Sequence, residues 1–238
     1  MLWAARLGAF LFRRILSSGR DTRFDAMRTR PLALLGFWAF QAAWVFIGAL
    51  PTTLLNAPAT LAAAPPPFGT AGDIAGIVLF ALGLALETAA DVTRRRGGST
   101  DGVWGWSRHP NYFGEIVLQA GVFALAGGAA RGAPWLWAAA ASPALTAALL
   151  LAISGLPVSE KSTGARRWRE GRWDEWRAYV AGTSVLVPMP RAAWAALPRW
   201  VKASVGCEWA WLQFVPGEPE EQGIVNDGGA AGDGGVAS

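Results

Sequence analysis

The sequence predicts an all-α, polytopic membrane protein with about four transmembrane helices. Two features of the composition lead to this prediction. Of the 238 residues, 53% are hydrophobic and only 16% are charged, whereas about a quarter are charged in typical soluble proteins. Tryptophan is also abundant, with 14 Trp against 2 Tyr, and indole rings favour the membrane interface.

Four mostly apolar stretches are each long enough to cross a bilayer as a helix, which takes about 20 residues. The first covers residues 31–50, and Pro31 suits the first turn of a helix. Pro51 follows this stretch, and we expect it just past the helix end. The other three predicted spans cover residues 72–90, 111–130 and 134–156.

The basic residues in the loops support these spans and orient them. Seven arginines precede the first span, four lie between the second and third spans, and six Lys or Arg follow the fourth span up to residue 177. The alternate loops are nearly free of basic residues: none lies in the loop 51–71, and one arginine follows the third span. Short cytoplasmic loops are rich in Lys and Arg. We therefore predict an integral, multi-pass protein with both termini cytoplasmic, in the endoplasmic reticulum or another endomembrane of a eukaryote or the inner membrane of a bacterium.

The remaining segments complete the predicted domain organisation. Residues 1–30 are apolar but interrupted by arginines, which is typical of a basic amphipathic helix at the membrane interface. Residues 31–190 form the membrane domain, and residues 191–215 a Trp-rich interfacial segment. The tail, residues 216–238, is rich in Gly and acidic residues, so we expect it to be disordered.

Charge and cysteine content exclude several classes of function. The first 202 residues hold all 21 basic and 11 of the 17 acidic side chains, a net charge of +10. Because the arginines flank apolar segments, membrane topology explains them, and we expect no nucleic-acid partner. A single cysteine, Cys207, excludes an internal disulfide framework and a CxxC metal motif. We predict no metal.

A polar motif, SRHPNYFGE at residues 107–115, stands at the start of the third predicted span. Pro110 suits a first helical turn, which puts Asn111 and Glu115 one turn apart on one face. Ahead of the motif, Glu87 and Asp91 have the same spacing and are followed by three arginines. Ionisable groups at membrane depth usually face a partner or a wet cavity. The alternative is structural: the arginines are topology signals, and His109 is a capping or hydrogen-bonded residue.

These residue types together predict a cytoplasmic pocket for a nucleotide-containing cofactor. Guanidinium groups pair with phosphates, Asn offers a donor and an acceptor, and carboxylates accept from ribose hydroxyls. No GxGxxG or GxxxxGK[ST] motif is present, so a soluble nucleotide-binding fold is unsupported.

The motif SRHPNYFGE resembles the signature of the membrane family related to the C-terminal domain of steroid 5-alpha reductase, which is often described as a domain of unknown function beside the sterol reductases. Further similarities follow in the family's order over residues 13–190: GRDTRFDAMRTRP followed by Gln41, ETAADVTRRR, GLPVSEKS, and Tyr179 with VLVPMP.

The resemblance implies NADPH-dependent reduction of a carbon–carbon double bond conjugated to a carbonyl, in a lipid-like or sterol-like substrate that enters from the bilayer. It also implies the residues around NADPH. Contacts to the cofactor are implied for Asp91, Asn111 and Glu115, with Arg95, Arg108 and His109 as neighbours and Glu160, Lys161 and Tyr179 as the cytoplasmic wall.

The catalytic acid is less directly implied. Members usually have further spans before the GRDTRFD region, and in steroid-reducing relatives those spans contain a Glu and a Tyr that hold the substrate carbonyl. This chain begins almost at that region, so we expect either a truncated sequence or a shortened member of the family with a different or absent catalytic acid. The candidates are Tyr112 and Tyr179, the only tyrosines, and Gln41, the polar residue deep in the first span.

Two other functions fit the same residues. One is an S-adenosylmethionine-dependent membrane methyltransferase of the isoprenylcysteine or phospholipid type, which shares a reduced RHPxYxG pattern; NYFGE after RHP, and the Glu87 and Asp91 pair, favour the reductase. The other is a non-catalytic membrane protein with a retained nucleotide site. The identity of the substrate and the oligomeric state stay open at this point.

Overall fold

The computed structural model describes residues 5–6, 8–9, 12–13, 15–16, 29–63, 66–95, 100, 102–130 and 132–217. The chain divides into two compact units, Met1–Ala43 with Gly217–Ser238, and Trp44–Pro216. Over the described ranges the structure is helical, and its only β-type pairing is an isolated bridge between Ser107 and Ser184. The all-α prediction is confirmed. Most of the predicted N-terminal segment 1–30 and of the tail 216–238 lies outside the described residues.

Four helical segments are long and apolar enough to cross a membrane, as predicted; they cover Pro31–Ala62, Ala71–Thr93, Pro110–Ala129 and Pro134–Arg169. The first contains helix α1 (Pro31–Leu55) and the short helix α2 (Pro58–Ala62). The second and third are formed by α3 (Ala71–Arg95) and α4 (Pro110–Ala129). Large apolar side chains on α1, such as Leu32 and Phe46, are exposed, as expected of a surface that faces lipid.

Helix α1 begins at Pro31 as predicted, but it does not end before Pro51. The helix continues through this proline to Leu55, and Pro51 is buried. A proline inside a helix lacks an N–H donor and displaces the carbonyl four residues earlier. Close to this point the Ser142 hydroxyl donates to the Gly48 carbonyl at 3.1 Å. A neighbouring segment thus bonds the backbone one residue after Ile47, whose carbonyl loses its helical donor at Pro51.

Helices α3 and α4 pack backbone to backbone along glycines spaced seven residues apart. A Cβ atom on Gly83 would lie 2.5 Å from the Gly114 carbonyl oxygen, and one on Gly121 would lie 2.5 Å from the Phe80 nitrogen. Only glycine permits such an approach, and membrane helices commonly associate through small residues. The partners run in opposite directions, so the C-terminal end of α3 lies beside the start of α4.

The fourth segment is not one continuous α-helix over residues 134–156. It consists of a 3-10 helix (Pro134–Ala140), α5 (Ala141–Ala148), a π-helical turn (Leu149–Ile153) and α6 (Leu156–Arg169). The break falls at Gly155, where a Cβ would lie 2.2 Å from the Leu150 carbonyl oxygen. Pro157 follows in the first turn of α6 and cannot donate back across the break.

After α6 come α7 (Trp173–Gly182), an extended segment at residues 183–190, α8 (Arg191–Ala196), α9 (Arg199–Ser204) and a 3-10 turn (Ala210–Leu212). The predicted Trp-rich segment is mixed in character. Trp194 is fully buried, whereas Trp200 and Trp211 are exposed. Part of this segment therefore belongs to the protein interior.

Two apolar clusters mark the two ends of α4. One contains Ala130 and Leu136, packed against Leu54 at the end of α1. The other lies at the start of α4, where Tyr112 and Phe113 pack on a cluster of buried side chains: Leu156, Val185, Leu186, Cys207 and Leu212. The second cluster is the apolar base beneath the polar motif.

Candidate functional site

The extended segment 183–190 fixes the polar motif from the side. Backbone N–H groups of Arg108 and His109 donate to the carbonyls of Ser184 and Val185 at 2.8 and 3.1 Å. The Ser107 hydroxyl donates to the Leu186 carbonyl at 2.8 Å. Residues far apart in the sequence therefore hold the start of α4 in one position.

Helix α4 begins at Pro110, as the motif predicts, with His109 as the preceding cap residue. The His109 side chain makes no capping hydrogen bond to the helix. Its Nε2 atom lies 2.5 Å from Oε1 of Glu160 in α6. Among the structural roles considered for His109, the capping role is thus wrong, and hydrogen bonding to a distant carboxylate replaces it.

A buried charge cluster joins α4 to α6. The Arg108 guanidinium bonds Oε2 of Glu160, so both carboxylate oxygens have a cationic or hydrogen-bonding partner. Arg108, His109 and Glu160 are 4%, 5% and 3% exposed. Charges buried this deeply are stable only when paired, because desolvation is otherwise uncompensated. Three of the predicted cofactor residues are therefore brought together by the fold, and they contact one another.

The two tyrosines contact the polar motif or the residues just before it. The Tyr112 ring stacks on His109, with ring centroids 5.0 Å apart and planes 12° apart. The Tyr179 hydroxyl, in α7, donates to the Trp104 carbonyl at 2.8 Å. Trp104 in turn donates through its indole nitrogen to the Ala90 carbonyl at 3.0 Å. The residues before the motif thus connect α7 to the end of α3.

The junction of α3 and α4 contains the other predicted polar residues. Glu87 is buried, and its backbone nitrogen lies 2.9 Å from the position of a Cβ on Gly114. One turn further along α3, the same register brings Asp91 opposite the start of α4, where Asn111 lies. Glu115, one turn into α4, accepts a hydrogen bond from the Gln119 amide at 3.0 Å. Carboxylates and an amide thus line one end of the helix pair.

Several buried polar atoms at this end have no hydrogen-bond partner among the described residues. They are Asn111 Oδ1, Arg108 Nε, Thr183 Oγ1 and Ser184 Oγ. A buried polar atom without a partner is costly, and such atoms in folded proteins usually bond water or a ligand. Thr183 and Ser184 were not among the predicted site residues. Their signal in the sequence is weak, because a Thr-Ser pair before an apolar run is common at any turn.

The remaining predicted residues are less closely assembled. Lys161 follows Glu160 in α6, but its side chain is exposed. Arg95 is the last residue of α3, and its side chain lies outside the described part of the chain. Gln41 is half-buried in α1, within the compact unit that contains residues 1–43. In the described ranges, no group of three or more His, Cys, Asp or Glu side chains is arranged to hold a metal ion.

Comparison with known proteins gives one family. A family model described as "Protein of unknown function (DUF1295)" matches residues 1–183. Searches of curated proteins and of solved structures gave no significant match. The matched region covers more than half of the chain and includes the polar motif, α6 and the start of the extended segment. The chain belongs to the DUF1295 family of membrane proteins.

Proposed function

We propose that the protein is a membrane oxidoreductase that uses NADPH to reduce a carbon–carbon double bond conjugated to a carbonyl in a lipid-like or sterol-like substrate. The observation that carries the proposal is at the junction of α3 and α4, where the buried amide oxygen of Asn111, in the motif SRHPNYFGE, has no hydrogen-bond partner among the described residues. The motif's resemblance to the C-terminal domain of steroid 5-alpha reductases supplies the reaction class.

The polar groups at the junction fit a nucleotide cofactor. The buried Oδ1 of Asn111 is an acceptor that can take a hydrogen bond from a carboxamide or an amino group, and the hydroxyls of Thr183 and Ser184 add two further polar atoms. Arg108 uses one guanidinium nitrogen for Glu160, while its Nε has no partner among the described residues. A ligand rich in amide, hydroxyl and phosphate groups would satisfy this set.

Each residue then has a defined role. Asp91, Asn111 and Glu115 bind and orient the cofactor, while Arg95 and Lys161 supply positive charge for its phosphates. When bound, NADPH supplies the hydride to the electron-poor carbon of the substrate. The chain's own part is to hold the reactants together and exclude water.

The reaction also needs a proton donor and a group that stabilises the enolate. Tyr112 is favoured among the three candidates, because its ring lies against His109 inside the motif. Tyr179 is less favoured, because its hydroxyl proton is donated to the Trp104 carbonyl. Gln41 stays a candidate through its polar side chain within an apolar span. A phenol beside a buried imidazole can donate to a developing enolate oxygen.

The first prediction tests the cofactor site with purified protein in detergent. Asn111→Ala and Glu115→Gln should each weaken NADPH binding about ten- to a hundredfold, because the first removes the amide that bonds the ligand and the second removes the negative charge and replaces one acceptor oxygen with an NH2 donor. Titration followed by nucleotide fluorescence measures the effect. The matched controls are Asn56→Ala, at an exposed position after α1, and Glu170→Gln, at the exposed end of α6; both should bind like the parent.

Thermal stabilisation and NADPH consumption of the same purified protein distinguish the competing functions. Thermal stabilisation by S-adenosylmethionine and not by NADPH would identify a methyltransferase. Stabilisation by NADPH without its consumption in the presence of lipid extracts would identify a non-catalytic nucleotide-binding protein. If Asn111→Ala and Glu115→Gln bind NADPH as tightly as the parent, the site assignment is wrong.

A further inference from the structure

A cavity lies beside the buried charge cluster, between α6, α7 and the coil that follows α9. Its volume is about 320 Å³, within the range of about 300–1,000 Å³ that is usual for small-molecule sites. Glu160 forms part of its wall. Part of the lining, including Glu208 and Phe214, lies beyond the residues matched by the family model, which end at 183.

Aromatic rings form the apolar walls of this cavity. Trp173 and Trp176 line it from α7, and Phe214 from the C-terminal coil. Trp173 and Phe214 are nearly perpendicular, with centroids 5.8 Å apart and planes 81° apart. Phe214 packs over Gly164 of α6, where a Cβ would lie 2.6 Å from the phenylalanine Cβ. These rings are therefore held in place by packing, and two of them meet at a corner.

The cavity also has two opposite charges that do not pair with each other. Arg177 lines it from α7 and Glu208 from the coil. Over the described parts of the chain, neither side chain has an ion-pair or hydrogen-bond partner, whereas the nearby exposed pair Arg172 and Glu175 closes at 2.8 Å. One anionic and one cationic group are thus both available to a ligand inside one aromatic-walled space.

We infer that this cavity binds a phosphocholine-type group, with the quaternary ammonium between the indole rings and Glu208, and the phosphate at Arg177. Indole faces attract quaternary ammonium ions more strongly than other aromatic faces do, and a carboxylate adds to that attraction. A guanidinium pairs with a phosphate through two parallel hydrogen bonds. A zwitterion satisfies both charges at once, whereas a simple cation or a simple anion satisfies only one.

The second prediction concerns this cavity and uses the full chain in maltoside detergent. By isothermal titration calorimetry, phosphocholine should bind about tenfold more tightly than choline or inorganic phosphate alone. Glu208→Gln should weaken phosphocholine and choline alike by about tenfold, and Arg177→Gln should weaken phosphocholine and phosphate but not choline. The controls Arg172→Gln and Glu175→Gln lie outside the cavity lining and should change nothing.

A lipid-binding experiment distinguishes the two sources of the phosphocholine group, a lipid headgroup and a free small molecule. Native mass spectrometry of the detergent-purified chain should show retained phosphatidylcholine in preference to phosphatidylglycerol if the headgroup comes from the bilayer. Binding of soluble phosphocholine alone would point to a free small molecule, and either result supports the recognition chemistry. The inference is overturned if neither binds, if choline binds as tightly as phosphocholine, or if Glu208→Gln and Arg177→Gln both behave like the parent.

Discussion

Glu160 is the residue on which the start of α4 depends. Its two carboxylate oxygens contact Arg108 and His109, both from the motif, and all three side chains are buried. Removing one member of a buried ion pair is far more damaging than removing both, because the charge left behind has no partner. The cluster therefore couples the position of the motif to α6.

The third prediction concerns this buried cluster, at the scale of single residues. Glu160→Leu should lower the free energy of unfolding by about 3–5 kcal/mol, because it leaves buried Arg108 without its counter-charge. Unfolding in mixed micelles with increasing denaturing detergent, followed by circular dichroism, measures the change. The exposed control Glu170→Leu should shift it by less than about 1 kcal/mol.

A double variant makes the test specific. Arg108→Met combined with Glu160→Leu should recover much of the lost stability, because no unpaired charge then remains in the interior except at His109 when it is protonated. If the double variant loses as much as the sum of its two single variants, the cluster does not act as an ion pair.

At the scale of secondary-structure elements, the α3–α4 pair places the C-terminal end of α3, which contains Asp91, beside the start of α4, which contains Asn111. Its register depends on glycines at which no side chain can be accommodated. Gly83 and Gly114 pack against each other's backbone, and so do Gly76 and Gly121. A change here moves one helix past or away from the other, so it affects the candidate site from a distance.

The fourth prediction tests this packing. Gly83→Val and Gly121→Val should each destabilise the protein by about 1–3 kcal/mol or more, because the added atoms meet backbone that cannot move aside. Thermal unfolding in detergent measures the loss. Gly48→Val is the matched control, since a Cβ there has no neighbour within 4 Å. Equal losses in all three variants would show that a generic effect of valine, and not the helix contact, is responsible.

At the scale of the whole molecule, the orientation in the membrane is a prediction from the distribution of basic residues. The loop between the first and second spans contains no Lys or Arg, whereas the region after the fourth span contains many. The two regions should lie on opposite faces. Labelling of a cysteine introduced into each region shows on which face of the membrane that region lies, provided that the native thiol does not react with the label.

The native Cys207 meets that condition. It is 5% exposed, and burial raises the pKa of its thiol. A raised pKa means less thiolate at neutral pH, so Cys207 should react slowly with maleimides and faster only as the pH rises towards that pKa. The background labelling in intact cells should accordingly be low.

The fifth prediction uses this low background. With the chain expressed in the bacterial inner membrane, a membrane-impermeant maleimide that reaches the periplasm should label Phe68→Cys, in the loop after α2, without permeabilisation of that membrane. It should label Glu175→Cys, in α7, only after permeabilisation, because that region is predicted to be cytoplasmic. Both positions are exposed. Labelling of the two from the same side would contradict the four-span topology.

The sequence by itself determined the all-α class, the four candidate spans and the start of α4 at Pro110. These features follow from local properties: the length of apolar runs, the position of prolines, and the spacing of Asn111 and Glu115 on one helical face. The motif and its candidate residues could also be identified from the sequence, because polar side chains beside apolar runs are easily recognised.

Only the tertiary structure decided how those residues meet. The pairing of Glu160 with Arg108 and His109 joins residues about fifty positions apart, so no local sequence pattern predicts it. The same holds for the continuation of α1 through Pro51, near which Ser142 of a distant segment donates to the Gly48 carbonyl. It also holds for the cavity between α7 and the C-terminal coil. Long-range contacts depend on how whole helices pack, and helix packing depends on shape across the chain, not on neighbouring residues.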